Sequence, residues 1–150
     1  MNKSPLVIGS DHAAYQLKEK IKIFLVENGI VVEDMGAQSE SSVDYPDYGI
    51  KVASLVSAGK FDRGILLCGT GLGMSMVANR FSNVRAALCN DLFSAIMSRR
   101  HNNSNVLVMG GRVIGDVLAI EIVKAWLETQ FEGGRHQARL DKFNGMGKNV

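Results

Sequence analysis

The chain has 150 residues, of which 46% are hydrophobic and 21% charged, and its formal net charge at pH 7 is +2. This length suits one domain with a sizeable core. So weak a positive charge argues against nucleic acid or a membrane surface as the partner.

The chain contains two cysteines, Cys68 and Cys89, and each ends an apolar run. Two cysteines are too few for a disulfide framework, so we expect reduced thiols. No signal peptide is recognisable at the first residues, and no apolar run approaches the length that spans a membrane. These features predict a cytoplasmic protein.

The first half of the chain alternates short apolar runs with segments of helical spacing. Residues 6–8 predict a first strand, and residues 13–28 predict a helix whose apolar side chains recur on one face. Residues 30–32 predict a second strand. A polar loop then leads to a second helix near residue 44, where Pro46 is tolerated in the first turn.

The central segment, residues 63–80, reads RGILLCGTGLGMSMVANR. Its apolar run ends in Cys68 and predicts a strand buried on both faces, followed by a glycine-rich turn and a helix. Backbone N–H groups at such a turn bind anions, and the nearby helix dipole favours a thiolate. A sulfur in this position could take a proton from a carbon next to a carbonyl. The alternative is that Cys68 is only a small buried hydrophobic residue.

The glycines of this segment match neither common phosphate-binding motif. The dinucleotide-binding pattern needs a glycine where Met74 stands, and no Gly-Lys-Ser/Thr follows to complete a P-loop.

The second half continues the same alternation. Residues 84–89 and 106–109 predict two more strands, residues 92–101 predict a helix between them, and a longer helix begins at residue 116. A basic segment, RHQARLDKF, follows a glycine pair.

Five strands alternating with helices predict an α/β fold with right-handed crossovers. We expect a three-layer α/β/α sandwich around a five-stranded parallel, Rossmann-like sheet. A single domain would cover residues 1–150, with a loosely ordered tail from about residue 143.

Ligands of open parallel sheets bind beyond the carboxyl ends of the strands. Polar segments follow four of the predicted strands: Ser10-Asp11-His12, residues 68–73, Asn90-Asp91 and residues 110–112. Each has a simpler explanation when taken alone, since Asp11 or Asp91 could cap a helix and an isolated histidine is more often structural.

Five segments together resemble the ribose-5-phosphate isomerase B family, which includes allose- and galactose-6-phosphate isomerases. They are GSDHAAYQLK, DYPDYG, GILLCGTGLGMSMVANR, SRRHNNSNVLVMGGRVIG and FEGGRHQARL. The resemblance implies a metal-free aldose–ketose isomerase without a cofactor. Its substrates would be D-ribose 5-phosphate and D-ribulose 5-phosphate, interconverted through a cis-enediolate.

The resemblance also assigns residues. Cys68 matches the base of the family's cysteine branch, and Met74 stands where the other branch has a glutamate, which supports this match. His101 matches the acid/base that opens the sugar ring, and Thr70 belongs to the loop that holds the enediolate. The positions that match substrate contacts are Ser10, Asp11, His12, Gly69, Gly71, Leu72, Gly73, Asn102, Arg112, Arg135 and Arg139, with the arginines chiefly for the phosphate. The resemblance further implies a homodimer, or a tetramer, whose sites are shared between subunits.

Two other functions stay open at this stage. One is an isomerase of a six-carbon sugar phosphate, and the other is a non-catalytic module that binds phosphate or nucleotides on the same kind of sheet. No metal site is expected, because the histidines and cysteines lack the close spacing of zinc ligands.

Overall fold

The computed structural model describes residues 3–146, which fold around one parallel sheet of five strands. The strands are β1 (Leu6–Ser10), β2 (Val32–Asp34), β3 (Arg63–Cys68), β4 (Ala86–Leu88) and β5 (Val106–Gly110), in the spatial order β2-β1-β3-β5-β4. The helices are α1 (Tyr15–Glu27), α2 (Tyr45–Ser57), α3 (Leu72–Ala78), α4 (Leu92–Arg100), α5 (Asp116–Glu128) and α6 (Arg135–Phe143).

Helices cover both faces of the sheet, which confirms the predicted three-layer α/β/α fold. The central strands β1 and β5 are buried along their whole length, and β3 is buried except at its first residue. Alternate side chains of β3 enter two cores: Ile65 and Leu67 pack on the side of α1, α4 and α5, whereas Leu66 and Cys68 pack on the side of α2 and α3. The short strands β2 and β4 form the two edges.

Three details differ from the sequence-based expectations. The second strand begins at Val32 rather than residue 30, because the Ile30 N–H closes the turn after α1 by donating to the Leu25 carbonyl at 2.9 Å. The fourth strand is shorter than predicted, since Val84 still belongs to a turn. The basic segment after the glycine pair forms α6, a helix that the sequence did not predict.

The tail expected from about residue 143 lies only partly within the described chain. Phe143 ends α6, and residues 147–150 lie outside the described residues. Within residues 3–146, every helix is too short or too polar to cross a membrane.

A buried ion pair fixes the edge strand β2 to α1. Lys18 is fully buried, and its Nζ lies 2.6 Å from Oδ2 of Asp34, which also accepts from Lys22 at 2.6 Å. The other oxygen of Asp34 accepts from the Gly36 N–H at 2.9 Å. Gly36 in turn accepts at its carbonyl from the Ser10 N–H, so the ion pair positions the chain beside the end of β1.

Replacing Asp34 with Asn should destabilise the protein by about 3 kcal/mol at pH 7, because it removes the closer and more buried of the two carboxylates that pair with Lys18, leaving only Glu19 at 3.0 Å. Burial alone would raise the pKa of Asp34, but hydrogen bonds from Lys18, Lys22 and the Gly36 N–H hold it below its usual value. The stability that this carboxylate adds is therefore present above about pH 4 and is lost as the pH falls further.

Urea unfolding of wild type and Asp34→Asn at pH 7 and at lower pH measures this difference, which should narrow below about pH 4. Glu33→Gln, an exposed neighbour on β2, is the matched control and should behave as wild type. A constant difference across the pH range would contradict the assignment to Asp34.

Candidate active site

The sulfur of Cys68 lies at the carboxyl end of β3, where the chain turns into α3. Sγ accepts a hydrogen bond from the Gly71 N–H at 3.2 Å. Only 4% of Cys68 is exposed, and its side chain packs with Met74 and other residues of the core beneath α2 and α3. The cysteine is therefore held at the end of the strand rather than displayed on a free surface.

The glycines of the turn are required by a close approach between two loops. The Gly111 N–H donates to the Cys68 carbonyl at 2.8 Å, and the Arg112 N–H donates to the Gly69 carbonyl at 2.9 Å. A Cβ on Gly110 would lie 2.6 Å from the Thr70 carbonyl oxygen. Gly71 has φ 81°, a conformation that side-chain-bearing residues rarely adopt. The loops after β3 and β5 thus lock together through their backbones.

The segment after β1 places three predicted contacts in different environments. Ser10 is fully buried, and its Oγ has no hydrogen-bond partner within residues 3–146. Asp11 is also buried, and its Oδ1 accepts from the Ala14 N–H at 3.2 Å in the turn before α1; the N-cap residue is Ala14, so Asp11 fixes this turn and does not cap the helix. His12 is half-buried, and its Nδ1 accepts from the Val43 N–H at 3.1 Å, which leaves the proton of the neutral ring on Nε2.

The remaining members of this group surround the glycine turn. Thr70 is exposed, and its Oγ1 accepts from the Leu72 N–H at 3.3 Å at the start of α3. Arg112 is exposed and lies against the turn, since a Cβ on Gly69 would stand 3.4 Å from its Cδ. We call Ser10, Asp11, His12, residues 68–73 and Arg112 the carboxyl-end group.

A second set of predicted residues lies at the other end of the sheet. Helix α4 starts after the carboxyl end of β4 and returns to the amino end of β5, so its C-cap, His101, and the adjacent Asn102 lie beside the amino ends. Helix α5 runs the same way and leads to α6, which carries Arg135 and Arg139. We call these four residues the amino-end group.

Buried contacts of Arg99 fix the turn that carries His101 and Asn102. Its guanidinium donates to the Asn103 side chain at 2.9 Å and to the Ser104 carbonyl. The guanidinium also lies 5.8 Å from the centre of the Trp126 ring. Burial, with the positive charges of nearby arginines, lowers the pKa of Arg99 to about 10.

One chain does not bring Cys68 and His101 together. Five residues of parallel strand span roughly 16 Å, and the two groups lie at opposite ends of such strands. The two residues to which the resemblance assigns catalytic roles are therefore divided: Cys68 lies in the carboxyl-end group, and His101 lies in the amino-end group.

The fold also brings together three potential metal ligands that their spacing along the chain did not predict. Nitrogen or oxygen atoms of His101, Glu132 and His136 lie within 4.8 Å of one another. The two imidazole rings are stacked nearly parallel, so their lone pairs do not converge on one point. Arg100 also lies 3.8 Å from Glu132. This geometry and the neighbouring positive charge fit a cation poorly.

Two residues beside the predicted groups were missed by the sequence reasoning, although both lie in the quoted segments. Tyr45 of DYPDYG packs on the glycine turn, since a Cβ on Gly73 would stand 2.5 Å from its Cζ, and 39% of Tyr45 is exposed. His136 of FEGGRHQARL stacks on His101. Neither position carries a pattern that distinguishes it from an ordinary packing residue.

Comparison with known proteins identifies relatives over nearly the whole chain. The sequence pattern of the ribose/galactose isomerase family matches residues 6–143. Ribose-5-phosphate isomerase B of Escherichia coli is 48% identical over 136 residues, which are 91% of this chain and 91% of that protein.

Two solved structures share the fold. A ribose 5-phosphate isomerase of Thermotoga maritima is 53% identical with a TM-score of 0.91, covering 94% of this chain and 97% of its own. Ribose-5-phosphate isomerase B of Mycoplasma genitalium, solved with bound ribulose-5-phosphate, is 39% identical with a TM-score of 0.93, covering 97% of both chains. The resemblance read from the sequence is confirmed.

Gly71→Ala should destabilise the protein by several kcal/mol and disorder the turn that holds Cys68. The substitution forces a side chain into a positive φ, and the new Cβ would stand 3.1 Å from the Met109 carbonyl carbon. Gly59→Ala is the matched control, since Gly59 has φ 71° but nothing within 4 Å of its Cβ position, and it should cost only about 1 kcal/mol. Urea unfolding of both variants measures the difference, and equal losses would contradict a steric role for Gly71.

Proposed function

The chain belongs to the ribose/galactose isomerase family, and we propose that it interconverts D-ribose 5-phosphate and D-ribulose 5-phosphate. The relatives in Escherichia coli, Thermotoga maritima and Mycoplasma genitalium carry the name of this activity, and they cover most of the chain. The observation that carries the proposal is the sulfur of Cys68, which is held at the end of β3 by the backbone of a glycine turn.

The proposed base is the thiolate of Cys68. Aldose–ketose isomerisation moves a proton between C2 and C1 of the open-chain sugar through a cis-enediolate. The sulfur would take the proton from C2 of the aldose and return it to C1, while the hydroxyl proton of O2 passes to O1. The Gly71 and Leu72 N–H groups already donate to Cys68 Sγ and Thr70 Oγ1, so the remaining backbone N–H groups of the glycine turn, with the Thr70 hydroxyl, would stabilise the oxyanion of the intermediate.

Three arginines are suited to the phosphate. A guanidinium keeps its charge and binds a phosphate dianion through two parallel hydrogen bonds. Arg112 lies against the glycine turn, and Arg135 and Arg139 are exposed four residues apart on α6, hence on one face of that helix. We propose that they hold the substrate while the base acts.

We propose that a complete site forms between two subunits of a homodimer. The carboxyl-end group of one subunit would face the amino-end group of its partner, which puts His101 within reach of a sugar ring bound at Cys68. A two-fold axis repeats this contact and makes two equal sites, whether or not two dimers join into a tetramer.

The surface of the isolated chain supports such a contact. Leu72 and Met76 of α3 are exposed beside the glycine turn, and 72% of Phe93 at the start of α4 is exposed. A cleft of about 960 Å³ lies by the amino-end group and includes Asn102 in its lining. A subunit contact would bury these exposed apolar side chains. Free thiols at Cys68 and Cys89 fit a reducing cytoplasm, where we place the enzyme.

Wild type should convert ribose 5-phosphate to ribulose 5-phosphate, and Cys68→Ala should lower kcat by roughly 100- to 10,000-fold because the proton-transferring base is lost. Cys89→Ala is the matched control: burial raises the pKa of the Cys89 thiol to about 11, so it is a neutral core residue. A coupled assay measures kcat, and circular dichroism checks the fold of each variant.

The same assay with allose 6-phosphate decides between a five- and a six-carbon substrate. A kcat/KM higher for the six-carbon sugar would contradict the proposed substrate. A Cys68→Ala variant with near wild-type kcat would remove Cys68 from the role of base.

Mixing two inactive variants tests the shared site. Cys68→Ala and His101→Ala, unfolded and refolded together, should recover about a quarter of wild-type activity on ribose 5-phosphate, since half of the dimers are mixed and each has one intact site of two. Each variant refolded alone is the control. Recovery no greater than that of the controls would mean that both residues act within one chain.

A further inference from the structure

Two histidine rings stack at the amino end of the sheet, and only one of them has a role in the proposed function. The ring centres of His101 and His136 are 4.2 Å apart, and the ring planes differ by 12°. His101 is half-buried at the end of α4, whereas the side chain of His136 is only 6% exposed. His136 therefore forms the inner wall against which the His101 ring lies.

Backbone contacts hold the segment that carries His136. The His136 N–H donates to the Gly133 carbonyl at 3.0 Å, and the Glu132 N–H donates to the Arg100 carbonyl at 3.1 Å, which ties this loop to the end of α4. Nε2 of His136 lies 3.4 Å from Oε2 of Glu132 and makes no hydrogen bond within residues 3–146. One turn later, the buried Leu140 docks α6. The position of His136 is thus set by the same contacts that position the helix.

The charges around His136 favour its neutral form. It faces His101 from α4, Glu132 from the preceding loop, and Arg135 and Arg139 from its own helix. Burial lowers the pKa of His136, the positive charges of His101, Arg135 and Arg139 lower it further, and Glu132 opposes them only in part. Two stacked imidazoles repel each other when both are protonated, which further disfavours a charge on the buried His136.

We propose that His136 is a positioning residue that holds the His101 imidazole by face-to-face stacking. This inference rests on the proposed function, in which His101 opens the sugar ring. To hold His101 in this way, His136 needs only a flat, neutral ring. It does not need to transfer a proton or to contact the substrate.

His136→Phe and His136→Gln separate stacking from other roles. Phenylalanine keeps a flat neutral face, whereas glutamine fills a similar volume without one. Two reactions are measured for each variant. Isomerisation of ribose 5-phosphate includes ring opening. Exchange of the C1 proton of ribulose 5-phosphate with D₂O needs only the base, because the phosphate on O5 leaves this ketose unable to close a five-membered ring.

We expect His136→Gln to lower kcat for ribose 5-phosphate about tenfold while the exchange rate changes less than about twofold. His136→Phe should keep at least about half of kcat, and the acid limb of its kcat/KM profile should match wild type, because one neutral ring replaces another. Gln137→Ala, an exposed neighbour on α6, is the matched control and should leave both reactions unchanged.

Two results would overturn the stacking role. One is that His136→Gln lowers the isomerisation rate and the exchange rate equally. The other is that His136→Phe loses as much kcat as His136→Gln. If His136→Gln does not fold, His136→Leu takes its place as the variant without a ring. A wild-type protein that fails to isomerise ribose 5-phosphate would instead refute the proposed function, so the two failures are distinguishable.

Discussion

The polarity of the parallel sheet is the constraint on which the site depends. All five strands point the same way, so every strand ends at one edge and every crossover helix returns to the other. Residues that follow strands, such as Cys68 and Arg112, must therefore lie apart from residues that follow helices, such as His101 and Arg135. In the proposed homodimer, the two-fold axis would place the carboxyl end of one sheet against the amino end of the other, so that both kinds of residue meet.

The two cysteines have different surroundings, and the difference bears on which of them could act as a base. Both are buried near the carboxyl ends of strands, and both are free. Cys68 receives a backbone N–H from a turn whose glycines let two loops touch. Cys89 is enclosed by the core on the other face, where burial raises the pKa of its thiol to about 11. The glycine turn, rather than the depth of burial, distinguishes the proposed base.

The net charge of the chain is small, but its positive side chains are unevenly distributed over the fold. Arg63, Arg85 and Arg99 lie close enough at the amino end of the sheet for their charges to interact, and α6 adds two exposed arginines to the same end. Such a basic surface attracts a phosphate dianion and would bring positive charge to a partner's glycine turn. The stacked histidines lie beside these arginines, where burial first and the nearby positive charges second lower the pKa of the inner ring, His136.

The sequence by itself determined the layer order, the five strands and the position of Cys68, because apolar runs and glycine turns are local signals. Its motifs also identified the family and most candidate residues. The tertiary structure decided what local signals do not contain: that Ser10 and Asp11 are buried, that RHQARLDKF forms a helix, that His136 meets His101, and that the candidate residues divide between two ends of the sheet. Contacts between distant segments depend on strand order and helix docking, which no short stretch of sequence encodes.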